Sequence, residues 1–163
     1  MGWDEILAVD VPTTAIGQSW RTQSKEGAGT EHISAAAGAI KGFDMVISPH
    51  NLCYYTYFSG LQDDAFEYST TCPITLETAY SFDPMTGISE NLRSKILGAE
   101  ACCWGEYTWN EYDLMWKMWP RGCAMAEILW TNPQPRNFAE FRERVKDHRK
   151  RLVKMHVNCQ PVE

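Results

Sequence analysis

Four short runs rich in apolar and β-branched residues are separated by helix-forming stretches, a pattern that folds as parallel βα units. Residues 2–11 read as a strand end running into a brief helical turn, broken at Pro12. Residues 14–20 alternate loosely and carry β-branched side chains, so a second strand is expected there. The polar, Gly-rich residues 24–30 read as a loop. The Ala-rich stretch 31–40 predicts a helix with Gly42 as its C-cap. Residues 43–48 form an apolar run stopped by Pro49, which fits a buried strand.

Residues 49–88 form a long, irregular tract rich in aromatics, and a tract of that length inside a folded chain is usually functional. Residues 89–97 predict a helix opened by Ser89 and closed by Gly98, and residues 99–104 a further buried strand. Helices are expected at 110–119, at 120–130 with Pro120 in the first turn, and at about 137–157. In the last, Phe138, Phe141, Val145, Leu152 and Val153 make the apolar face. The opposite face carries Arg142, Arg144, Lys146, Arg149, Lys150, Arg151 and Lys154. Glu143 and Asp147 interrupt it, so it reads as a solvated face.

With 163 residues the chain is long enough for one domain and too short for a complete (β/α)8 barrel, which needs at least about 200. Fifteen Lys and Arg against 21 Asp and Glu give a net charge of −6, which argues against nucleic acid as a partner. No apolar run reaches the roughly 18 residues of a membrane span. The six cysteines contain no CxxC pair and share no zinc spacing with the four histidines, so no metal site is expected. Most of them read as small buried apolar residues.

Chemistry in parallel βα folds gathers at the C-terminal ends of the strands. Four successive strand ends here present an aromatic: Trp3, Trp20, Tyr54 and Trp104, the last followed by Glu106. Trp109, Trp116, Trp119 and Trp130 read as helix packing.

The motifs GWDEIL, AIGQSWR, VISPHNLCYYTYFSG, LGAEACCWGE and WPRGCAMAEILW follow one another in order. Together they resemble the C-terminal half of a glycoside hydrolase family 20 β-N-acetylhexosaminidase. The resemblance runs from Trp3 to about Val157 and is weakest over residues 61–88. It implies an α/β fold in which residues 1–163 form part of a (β/α)8 TIM barrel: strands five to eight and their helices, a fragment of a larger catalytic domain. It also implies substrate-assisted retaining hydrolysis of terminal N-acetylglucosamine or N-acetylgalactosamine. In that mechanism the sugar's acetamido oxygen attacks the anomeric carbon, forming an oxazolinium, while a Glu protonates the leaving oxygen and later activates water. No metal or organic cofactor is implied. The implied partner is a glycan or glycoconjugate ending in N-acetylhexosamine, and the implied setting of the parent protein is exported, periplasmic or lysosomal.

Carried over by motif, Trp104 is the platform under the sugar, and Trp3 and Trp20 wall the acetamido methyl. Tyr54 orients the acetamido carbonyl, and Glu106 accepts from a sugar hydroxyl. Tyr55 competes with Tyr54 for its role, and the register favours Tyr54. The family's Tyr-x-Asp is here Tyr54-Tyr55-Thr56, so a neutral hydroxyl at Thr56 stands where a carboxylate contacts the sugar.

The family's catalytic Asp-Glu pair, preceded by His-x-Gly-Gly on strand four, has no match in this sequence. Asp4-Glu5 is also an Asp-Glu pair, but it follows Trp3 inside the strand-five motif and is rejected by register. The isolated chain is therefore expected to be inactive, and to associate with itself or with the missing N-terminal half of the barrel. The rival expectations are a diverged or inactive homologue, a Trp-lined sugar-binding module without turnover, and a helical interaction protein whose aromatics are all core.

Overall fold

The computed structural model describes residues 1–21, 23–25, 28–31, 33–60, 73–134 and 136–162. They divide into two units, Met1–Asn51 with Asp83–Glu100, and Leu52–Phe82 with Ala101–Glu163.

In chain order the first unit holds β1 (Gly2–Trp3), a 3-10 turn at Asp4–Ala8, β2 (Ile16–Ser19), β3 (Gln23–Lys25) and β4 (Ala28–Glu31). It continues with α1 (Ile33–Ile40), β5 (Asp44–Ile47), a 3-10 helix at Glu90–Lys95 and β6 (Ile96–Ala99). Four strands make one parallel sheet in the order β1-β2-β5-β6. Each new strand joins beside its predecessor, without the reversal of a doubly wound sheet, which is the order found in an arc of barrel.

The expected helix at 31–40 starts two residues later and ends in the expected glycine. Gly42 has φ +96°, its N–H donates to the Ala39 carbonyl at 3.0 Å, and the Phe43 N–H donates to the Gly38 carbonyl at 3.1 Å. These two bonds are a Schellman cap. Met45, fully buried on β5, runs between Gly17 and Gly38. A Cβ on Gly17 would lie 2.7 Å from its sulfur, and one on Gly38 closer still. The two glycines are what let α1 lie close against the sheet.

Two expectations for this unit fail. The predicted loop at 24–30 overlaps β3 and β4, which pair antiparallel, because the ladder is made by backbone N–H and C=O groups that polar residues also carry. The predicted helix at 89–97 is a 3-10 turn followed directly by β6, so the strand comes earlier than 99–104. Ser89 makes no side-chain cap bond, and Gly98 lies inside the strand at φ +150°, where the β5–β6 register shifts.

Along the chain, α2 (His50–Cys53) spans the passage from the first unit to the second. The second unit then holds α3 (Leu76–Tyr80), a 3-10 turn at Gly105–Tyr107, α4 (Glu111–Met118), α5 (Arg121–Trp130) and α6 (Phe138–Lys154). Thr75, Asn110 and Asn137 cap α3, α4 and α6, each accepting a backbone N–H three residues on. Pro120 is the N-cap residue of α5, one position before the first turn. The core gathers Tyr55, Ile74, Ala79, Tyr80, Ala124, Phe141 and Val145, with the Tyr80 and Phe141 rings stacked at 4.5 Å.

The α6 face is as expected at Phe141, Val145 and Leu152, whereas Val153 is half exposed. Arg144, Lys146 and Lys150 of its basic face pair with Glu127, Glu143 and Asp147. Arg149 instead donates to the Cys159 and Gln160 carbonyls and ties down the tail. Trp130 is 89% exposed and Trp109 is 70% exposed, so most of each indole faces solvent, against the expectation of helix packing. Trp130 lies two residues beyond buried Ile128, about 200° around α5 and off its buried face. Of the cysteines, 53, 102 and 159 are buried and 103 and 123 half-buried, all as free thiols; Cys72 lies outside the described residues.

Candidate functional site

In the first unit the strand ends carry Trp3, the last residue of β1, and Trp20, the residue after β2. The ladder fixes both: Trp3 is in register with Gln18, and the Trp20 carbonyl accepts the His50 N–H at 3.1 Å. Both indoles are half-buried. Around Trp20, His50 meets the ring edge-on at 6.2 Å, and the Arg21 guanidinium lies 5.2 Å from the ring centre. Burial pushes the His50 pKa below its ordinary value.

Asp4 and Glu5 lie beside this cluster. Asp4 is buried, 3.1 Å from Arg21, and its other oxygen faces the Trp20 and Arg21 backbone N–H groups at 3.4 Å. Glu5 is exposed and accepts from the Trp20 indole at 3.3 Å and from Arg21 at 2.7 Å. A hydrogen bond from its own backbone, with the Trp20 and Arg21 donors, holds its carboxyl below the usual range. A general acid needs the opposite shift, so this environment suits Glu5 to a structural ion pair and not to proton donation.

Sequence reading passed over Gln18. Its buried amide donates to Ser48 Oγ at 2.9 Å and Glu100 Oε2 at 3.3 Å, tying together three neighbouring strand ends. The AIGQSWR motif contained it, but only the tryptophan was read as functional.

In the second unit, Tyr54 and Cys102 form a parallel bridge. Cys102 N–H donates to the Cys53 carbonyl at 2.8 Å and Tyr55 N–H to the Cys102 carbonyl at 2.7 Å. This bridge brings Tyr54 to Trp104: their rings meet edge-to-face at 5.4 Å and 66°. Trp104 is 37% exposed, leaving indole surface open to a ligand. Glu106 follows, exposed, in the 3-10 turn.

Tyr55 points the other way. It is fully buried, its hydroxyl donates to the Arg121 carbonyl at 3.1 Å, and the Arg121 guanidinium lies 4.8 Å from its ring centre. Burial raises its pKa beyond the ordinary tyrosine range. Of the two tyrosines, it is Tyr54 that meets Trp104. Thr56 is 2% exposed, and its Oγ1 accepts the Trp104 backbone N–H at 2.8 Å.

A cleft of about 290 Å³ also lies in the second unit, between Ser59, Thr75, Phe138 and Gln160. It contains none of the sequence-predicted site residues. Among the described residues no group of three His, Cys, Asp or Glu is placed to hold a metal, and no helix is long and apolar enough to cross a membrane.

Residues 1–133 match the model of the family described as glycosyl hydrolase family 20, catalytic domain. The chain belongs to glycosyl hydrolase family 20. It is 27% identical over 153 residues to a beta-hexosaminidase of Porphyromonas gingivalis, covering 89% of this chain and 18% of that protein. It is also 27% identical over 149 residues to a beta-N-acetylhexosaminidase of Cellulomonas fimi, covering 91% of this chain and 28% of that protein. Among solved structures, a family 20 exo beta-N-acetylglucosaminidase from Vibrio harveyi in complex with N-acetylglucosamine superposes with a TM-score of 0.80 at 26% identity. That match covers 98% of this chain and 24% of the other. The chain thus spans less than a third of each of these family 20 proteins.

Proposed function

We propose that this chain is the C-terminal half of the catalytic barrel of a β-N-acetylhexosaminidase, with β1, β2, β5 and β6 as strands five to eight. The complete enzyme removes terminal N-acetylglucosamine or N-acetylgalactosamine by substrate-assisted retaining hydrolysis. The observation that carries this reading, beyond family membership, is the Tyr54–Trp104 pair: a partly exposed indole braced edge-on by a tyrosine at 5.4 Å. A flat apolar face of this kind suits the C–H face of a pyranose. In this reading Trp104 lies under the sugar and Tyr54 steadies the acetamido carbonyl. Glu106 accepts from a ring hydroxyl, and Trp3 and Trp20 flank the acetamido methyl. Holding the acetamido oxygen near the anomeric carbon is an orientation effect, the largest contribution this half makes.

The proton donor belongs to strand four in this reading, because Glu5 is held as an ionised partner of Arg21. The purified chain should then give no turnover of a chromogenic N-acetyl-β-glucosaminide. Turnover abolished by Glu5→Gln would make Asp4-Glu5 the catalytic pair and overturn the assignment. The two outer strands, β1 and β6, each pair on one side within the described sheet. An N-terminal half-barrel or a second copy would cover them. Sedimentation as a monodisperse monomer would count against that.

A further inference from the structure

We propose that Thr56 and Thr108 set the pose of the Trp104 indole, which makes Thr56 a positioning residue and not a sugar contact. The proposal rests on the reading of Trp104 as the sugar platform. Trp104 lies outside the named strands, between β6 and α4, as the N-cap residue of the short 3-10 turn Gly105–Tyr107. Threonine hydroxyls bind both its backbone N–H and its carbonyl. Thr56 Oγ1 accepts its N–H at 2.8 Å, and Thr108 Oγ1 donates to its carbonyl at 2.9 Å.

The ring is fixed from the same segment that supplies Thr56. Tyr54, two residues earlier, meets the indole edge-on at 5.4 Å and is itself bridged to Cys102. One short stretch, residues 54–56, therefore braces both the backbone and the ring of Trp104. Thr56 is 2% exposed with one lone pair committed to the N–H, so it offers a sugar almost no surface. A side chain this placed can affect a ligand only through the residue it holds.

The test uses the 163-residue chain and three variants, Thr56→Val, Thr56→Ser and Thr108→Val. Valine keeps the shape of threonine and removes the acceptor; serine keeps the hydroxyl. Two quantities are read: hydrogen exchange of the Trp104 amide by NMR, and N-acetylglucosamine affinity from tryptophan fluorescence. Thr56→Val should speed that amide's exchange about tenfold and weaken the sugar about three- to tenfold. Thr56→Ser should restore both, and Thr108→Val should weaken the sugar in the same direction. Thr108 is less buried than Thr56, so this variant still reads the clamp if Thr56→Val does not fold.

Weaker binding in Thr56→Val with unchanged Trp104 exchange would make Thr56 a direct contact and overturn the proposal. Faster exchange with unchanged affinity would overturn it as well. If the unmodified chain binds no N-acetylglucosamine, the platform reading falls, and with it the positioning role for a sugar. The exchange data would still show whether the clamp exists.

Discussion

Trp3 and Trp20 in the first unit, and Tyr54 and Trp104 in the second, are held by different means. The first pair ends or follows parallel strands, and the backbone ladder sets both, with Asp4, Glu5 and Arg21 bracing Trp20. The second pair lies outside the named strands: one isolated backbone bridge, Tyr54–Cys102, places Tyr54, and side chains hold Trp104. Thr56 and Thr108 bind the Trp104 backbone, and Arg121 organises the loop behind it. Arg121 is 1% exposed and donates to the carbonyls of Tyr55, Tyr57, Ile74 and Lys117, with Tyr55 returning a hydrogen bond to its own carbonyl. A ladder is insensitive to most single side chains, whereas a hub concentrates its contribution in one residue.

The sharpest way to break this contrast is Arg121→Ala. It leaves four carbonyls without a strong donor in a buried site and should cost on the order of 3–5 kcal/mol. Chemical denaturation with residue-level hydrogen exchange checks it. Amides of residues 54–57 and α5 should lose protection first, and β2 and β5 should keep theirs longer. Equal loss everywhere would show a single cooperative block and dissolve the distinction.

A smaller effect is expected in the first unit from Gly17→Val, whose new methyl groups meet Met45 inside the α1–sheet contact. About 1–3 kcal/mol of overpacking is expected. Adding Met45→Ala should recover part of it, a coupling that a double-mutant cycle in urea measures. Additive losses would mean that Met45 is not what excludes a side chain at Gly17.

The smallest effect concerns pH. The folded His50 has a lowered pKa, so its contribution is constant above about 6.5. As pH falls below that value the unfolded chain takes up the proton more readily, and stability drops until the folded pKa is passed. Glu5 adds a separate step at lower pH: its carboxyl is depressed in the fold, so its contribution is lost as pH falls through the folded value. His50→Gln should remove the first step in a melting-temperature series and leave the second. Persistence of the first step would assign it to another group.

The same contrast explains what the sequence disclosed. The parallel βα arrangement was legible because short apolar runs stopped by Gly or Pro carry a local signal, as at residues 43–48 and Gly42. The turn at Glu90–Lys95 and β6 were misread because Ser89 and Gly98 have the composition of caps while doing other work. Family motifs carried Trp3, Trp20, Tyr54 and Trp104, and register separated Tyr54 from buried Tyr55. The links from Thr56 to Trp104, from Arg121 to Tyr55, and from Gln18 to Glu100 join residues 48, 66 and 82 positions apart. No local pattern encodes contacts of that span, and so the residues that brace the proposed site are not legible in the sequence, whereas its aromatics stand in family motifs.

The most direct test of the account is calorimetric titration of N-acetylglucosamine into the chain and into its Trp104→Ala variant, with Trp130→Ala as an exposed-tryptophan control. The account predicts saturable binding by the unmodified chain and by Trp130→Ala, and its loss in Trp104→Ala. Equal binding by all three, or no binding by the unmodified chain, would contradict the assignment of Trp104 as the sugar platform.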